Sequence, residues 1–83
     1  MFYRVKSVNP KDDFILSVLF TDGMKKEYDI KPLFEKWPVF LNLRDIPGLY
    51  KQVKIDPGGY GISWNEEIDL EGNELRLNGK EII

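Results

Sequence analysis

Apolar and polar residues alternate along much of this chain with period two. The clearest case runs from Val53 to Leu70. Val53 and Ile55 alternate with Lys54 and Asp56, and Tyr60, Ile62 and Trp64 alternate with Gly61, Ser63 and Asn65. That pattern predicts two half-buried antiparallel strands. Between them lies Asp56-Pro57-Gly58-Gly59, where proline presets the angle of the second turn position and glycine accepts a positive angle after it. The remaining elements are arranged around this hairpin.

Tyr3 to Val8 reads as a first strand, with Tyr3 and Val5 on one side and Arg4 and Lys6 on the other. Val8 falls out of phase, which predicts a bulge or the strand's end before Asn9-Pro10, with Pro10 to Asp13 as a loop. Phe14 to Phe20 is the most apolar segment. Phe14, Leu16, Val18 and Phe20 share one face and Ile15 and Leu19 the other, so it predicts a central strand covered at least in part on both sides. Asp22-Gly23 supplies a hairpin turn. Met24 to Ile30 returns as a third strand, with Met24, Tyr28 and Ile30 inward and Lys25, Glu27 and Asp29 toward water. Lys26 shares the inward parity and either snorkels or lies beyond the cover. A strand so charged suits a sheet edge.

Pro32 to Trp37 predicts a short helix with Leu33, Phe34 and Trp37 on one apolar face. Pro38 stops it, because a residue before proline is pushed out of the helical region. Val39 to Leu43 is a second helical turn or an irregular apolar segment. Asn65 to Leu70 is a turn followed by a short extended segment. Glu74 to Ile83 fits either a hairpin about Asn78-Gly79 or one helical turn around Asn73 to Leu77. The fold class is therefore α+β: one domain over residues 1–83, a small antiparallel β-sheet of about five strands packed against one or two short helices, in the order β-β-β-α-β-β.

Composition narrows the chemistry. At 83 residues the core is thin, so the aromatic residues should mostly be buried. The absence of cysteine removes disulfide and thiolate chemistry and leans toward a cytoplasmic protein. The absence of histidine removes the usual zinc ligand and the commonest general base at neutral pH. Charges interrupt Met1 to Lys6, so it does not read as a signal peptide, and no stretch has the apolar length to span a bilayer. Net charge is −2; residues 1–36 hold seven Lys/Arg and six Asp/Glu, and residues 37–83 hold five and eight. With no basic block, nucleic acid is not the expected main partner.

No motif marks catalysis. Glu66, Glu67, Asp69 and Glu71 are acidic but lack any metal-loop spacing, and read as a solvated turn. Asp12 and Asp13 have no recognisable cleft. Gly58-Gly59-Tyr60-Gly61 is not a phosphate loop, since neither Lys-Ser/Thr nor a helix follows. Tyr50, Tyr60 and Trp64 read as core rather than as a stacking platform, because acidic residues follow Trp64. Lys6, Lys25, Lys26 and Lys54 are candidates for one basic sheet face, with solvated surface the favoured reading. The expectation is no catalytic, cofactor-binding or metal-binding residue.

V-K-S-V at 5–8, L-S-V-L-F-T-D-G at 16–23, Y-D-I-K-P-L at 28–33, F-L-N-L-R-D at 40–45, V-K-I-D at 53–56 and above all G-I-S-W-N-E-E-I-D-L at 61–70 form an ordered set. Together they resemble the bacterial domain-of-unknown-function family 2442 over residues 2 to 78. Lys31 stands where the family more often has serine before Pro-Leu, which weakens the expected helix cap. The resemblance implies a small α+β domain without established catalytic activity. It also invites an antitoxin-like reading, since members are often encoded beside a second small protein; the family's helix-turn-helix extension is lacking here.

Three functional expectations follow. The first is a protein-interaction module that binds another small protein, or a second copy, through an exposed edge strand, with Lys25, Glu27, Asp29, Trp64, Asn65 and Glu66 as contact residues. An accessory nucleic-acid module using the Lys-bearing face is the alternative. A carboxylate enzyme built on Glu66, Glu67 or Asp69 ranks last.

Overall fold

A computed structural model describes residues 2–82. The elements are β1 (Val5–Lys11), β2 (Ile15–Phe20), β3 (Lys25–Asp29), α1 (Lys31–Lys36), α2 (Leu41–Asp45), β4 (Lys54–Ile55), β5 (Gly61–Ser63), β6 (Asp69–Glu71), α3 (Gly72–Asn78) and β7 (Lys80–Glu81). The class is α+β, as the patterning predicts. The strands divide between two antiparallel sheets, ordered β1-β2-β3-β7 and β4-β5-β6.

The phase break at Val8 is a bulge: the register shifts between Val5 and Ser7, and Val8 then pairs with Val18. The strand does not stop there. It runs through Pro10 to Lys11, so the expected loop shrinks to Asp12–Phe14. Pro10 is tolerated because β1 ends its sheet and needs no amide donor on its outer side. Asp13 and Phe14 turn the chain with φ of 61° and 57°. The Phe14 ring then packs edge-on against Phe34 at 5.3 Å and Tyr50 at 5.1 Å.

β2 is central, paired on both sides. Leu16, Val18 and Phe20 are buried, whereas Ile15, Ser17 and Leu19 are half-buried. The expected edge at β3 is corrected by β7, which pairs Lys26 with Glu81 and Glu27 with Lys80. Gly79 makes this return possible through space rather than through an unusual angle: its φ is −77°, and a Cβ there would meet the Leu75 carbonyl at 2.5 Å and the Lys26 Cβ at 3.1 Å. The end of the chain is thus a helix followed by a short strand, not a hairpin about Asn78-Gly79. Ile83, part of that expected hairpin, lies outside the described residues.

The helical lid is narrower than its sequence suggests. Leu33 is buried and Phe34 half-buried, but Trp37 is 40% exposed. Pro38 forces Trp37 into extended backbone, φ −131° and ψ 101°, and this turns the indole off the helix face. The helix start also departs from a side-chain cap at its first position: Asp29 accepts the Lys31 amide at 3.0 Å instead. Both sheets, α2 and α3 feed one core, with Leu16, Val18, Phe20, Ile30, Ile62, Ile68 and Leu75 fully enclosed.

Candidate functional site

Asn65 shapes the approach to β6. Its side-chain oxygen accepts the amides of Glu67 and Ile68, each at 2.9 Å, and the Trp64 amide donates to the Ile68 carbonyl at 2.9 Å. Aspartate and asparagine close turns in this way. The chain therefore folds back on β5, with Ser63 opposite Asp69, Ile62 opposite Leu70 and Gly61 opposite Glu71. At the far end the Gly72 amide donates to the Tyr60 carbonyl at 2.8 Å. Residues bonded across an antiparallel ladder alternate with residues whose amides and carbonyls point away. Since Ile68 and Gly72 bond toward β5, Asp69 presents its amide and carbonyl to the other side and Glu71 its amide, while the Glu71 carbonyl, at the N-cap of α3, begins the helix. β6 ends its sheet, so that side is an edge.

Two grooves meet at this strand. One, of about 480 Å³, is lined by the aromatics Phe2 and Tyr60, the carboxylates Asp56, Asp69 and Glu71, and Gly61, Leu70 and Asn73. The other, of about 420 Å³, is lined by Trp37, Pro38, Val39, Phe40, Glu67 and Asp69. Asp69 belongs to both, and among the described residues neither lining contains Lys or Arg. Gly61 is needed where it is: a Cβ would meet the Leu70 carbonyl at 2.7 Å and an Asp56 oxygen at 3.2 Å. Asp56 is held from behind, accepting the Ser63 hydroxyl at 2.7 Å. Tyr60 is 48% exposed. Arg4 fixes it, donating to its hydroxyl at 2.7 Å with the guanidinium 5.0 Å from the ring centroid. The Phe2 ring stands edge-on to Tyr60 at 6.1 Å.

The residues selected from sequence do not converge. Lys25, Glu27 and Asp29 share the outer face of the first sheet. Glu27 pairs with Lys11 at 3.7 Å, and Asp29 with Lys31 at 3.0 Å; the bond to Asp29 holds the Lys31 ammonium above its usual range. Trp64 is only 4% exposed. Its indole N–H donates to the Tyr50 carbonyl at 2.9 Å, and its ring meets Phe40 edge-on at 6.3 Å. The Asn65 side chain is occupied by its turn, and Glu66 is exposed. Lys25 and Lys26 are successive strand residues and point to opposite faces, while Lys54 lies in the second sheet, so no single basic face forms from them. Glu67 and Asp69, considered for enzyme chemistry, do line grooves; Glu66 does not. Among the described residues no group of three His, Cys, Asp or Glu is placed to hold a metal ion.

The sequence reading missed Phe2, Asp56 and Tyr60 as groove residues. Tyr60 carried the parity of Ile62 and Trp64, but the turn at Pro57–Gly59 ends at Tyr60 in helical backbone, φ −76° and ψ −9°, which breaks the alternation before β5 begins. For Asp69 and Glu71 a usable signal existed: they flank the buried Leu70 with period two.

A family model described as "Protein of unknown function (DUF2442)" matches residues 5–81. This bears out the resemblance carried by the motifs. No curated protein and no solved structure matches the chain.

Proposed function

We propose a function on the premise that this chain belongs to the DUF2442 family of proteins of unknown function: it is a protein-interaction module whose contact surface is the β6 edge. One observation carries this reading. The amide and carbonyl of Asp69 and the amide of Glu71 turn outward at the end of a sheet, between two grooves that expose Tyr60, Phe2 and Trp37. Unpaired strand groups accept a partner's strand, and exposed aromatics beside them match the composition of protein interfaces. The partner is another small protein, in keeping with the antitoxin-like arrangement that the family resemblance invites. The absence of Lys and Arg among the described lining residues works against phosphate binding. The role proposed is binding rather than catalysis.

Glu71→Pro tests it. Glu71 has φ −73° and ψ 150°, which proline adopts without strain, and its amide points away from β5. The substitution thus removes an edge donor without breaking the ladder. Tagged chain at native expression in its host should recover one stoichiometric small protein, and Glu71→Pro should lose it while melting like the parent. Recovery of the chain alone, or of the same partner by the proline variant, would overturn the proposal.

A further inference from the structure

The chemistry of the docking segment can be read from the rows that cross the second sheet. Asp56 donates its amide to the Gly61 carbonyl at 2.9 Å, and Gly61 stands opposite Glu71. Asp56, one residue past β4, therefore forms one row with Gly61 of β5 and Glu71 of β6. Side chains in such a row rise from the same face, with neighbours about 4.5–5.5 Å apart. The middle position has no side chain, and close approach of the Leu70 carbonyl forbids one. What remains is a slot with a carboxylate on either side and the Tyr60 ring at its rim.

We propose that the segment pairing with β6 is an extended stretch of another protein bearing lysine or arginine at alternate positions, one of whose cations occupies this slot. The inference rests on the reading of β6 as a docking edge and adds the partner's charge. A strand laid along Asp69 and Glu71 places every second side chain on the carboxylate-bearing face. An ammonium or guanidinium there gains charge-assisted hydrogen bonds from the Asp56 and Glu71 carboxylates, beside a Tyr60 ring that Arg4 already holds in place. Asp69 serves the neighbouring cation. A neutral strand would shield the Asp69 and Glu71 carboxylates, and the Asp56 oxygen that Ser63 leaves free, from water without pairing them, which is unfavourable. An acidic one would meet like charge directly opposite.

The probes are blocked ten-residue peptides of alternating Lys-Thr, alternating Glu-Thr, and Lys-Thr with alternate backbone amides methylated, titrated into the full chain at about 50 mM salt, where screening is modest. Binding is followed by peptide anisotropy and by backbone amide shifts of Gly61, Asp69 and Glu71. Lys-Thr should bind and move those amides. Glu-Thr should not bind, and Asp69→Lys/Glu71→Lys should weaken Lys-Thr by about tenfold or more. Both replaced side chains are exposed, and unchanged melting confirms that the fold is intact. Glu-Thr binding as well as Lys-Thr, absence of Lys-Thr binding, or indifference to the charge reversal overturns the basic partner while leaving the edge standing. The methylated peptide binding as well as its parent overturns the edge itself.

Discussion

Tyr28 in β3 donates its phenolic hydrogen to a Glu74 carboxylate oxygen in α3 at 2.7 Å. The bond joins the terminal helix to the interior of the first sheet, and the ring itself is buried. A hydrogen bond to a charged group contributes about 1.5–3 kcal/mol. Tyr28→Phe should lower unfolding free energy by that amount in urea titration, with the amides of α3 exchanging faster. A loss below about 0.5 kcal/mol, the scale of an ordinary surface change, would show that the helix is held by packing alone.

Alkaline pH should destabilise the fold through two tyrosines. Burial raises the Tyr28 hydroxyl far above its usual range and Glu74 raises it further. Burial also pushes Tyr50 up to about 12, with Asp12 and Asp29 adding to it. In the unfolded chain both lose their protons near pH 10, about the value for free tyrosine. The folded state then holds more protons than the unfolded one, so stability is full below about pH 10 and falls as pH rises toward the folded values. Melting temperatures measured from pH 8 to 11 should drop, and a Tyr28→Phe/Tyr50→Phe double variant should drop less steeply. Parallel curves would refute the assignment.

The two tryptophans separate core from surface. Trp64→Ala removes a buried ring and leaves the Tyr50 carbonyl without its indole donor. The cost should be about 3–5 kcal/mol, against a total near 4–12 for a domain of this size. Loss of the cooperative transition at room temperature, or a large fall in urea midpoint, is the expected result. Trp64→Phe should retain the fold at a smaller cost.

What could be read from the sequence was what local pattern and covalent geometry determine. The apolar run at 15–20 had to be central. Val8 had to mark a bulge or the strand's end, and Pro38 had to end α1. The same Pro38 explains one failure: parity along Leu33, Phe34 and Trp37 ignores the backbone rotation that proline imposes on Trp37. The division into two sheets and the return of β7 onto β3 were not legible, because they depend on contacts between residues far apart in the chain. Lys26 meets Glu81 across such a gap. Phe2 and Asp56 were missed as groove residues for the same reason: they come to line one groove with Glu71 only after the second sheet has formed.

The tight turn after β1 holds two residues in left-handed backbone, a conformation that costs roughly 1–2 kcal/mol for an ordinary side chain. Asp13 bears this cost mostly in solvent, with one exposed ion pair to Lys31 at 3.2 Å. Asp13→Gly should therefore raise stability or leave it unchanged, within about 1 kcal/mol. Phe14→Gly should lower it by about 2 kcal/mol or more, since the lost contacts with Phe34 and Tyr50 outweigh the relief. Urea midpoints moving in the same direction for both variants would contradict this separation.

Trp37 offers the cleanest division between folding and binding. Its ring is 40% exposed, lies 5.8 Å from Phe40 in tilted contact, and carries the Lys36 ammonium 4.6 Å above it. An exposed cation–π pair contributes about 0.5–1 kcal/mol, so Trp37→Ala should cost little more than that. If the groove it shares with Asp69 receives a partner, the same substitution should weaken binding far more, because tryptophans at interface centres commonly contribute 2 kcal/mol or more, about thirtyfold in affinity. The two effects are read on one sample, melting by circular dichroism and partner recovery by affinity capture. A stability loss above about 2 kcal/mol would return Trp37 to the core, where large-to-small changes have that size. Unchanged recovery would remove the second groove from the interface.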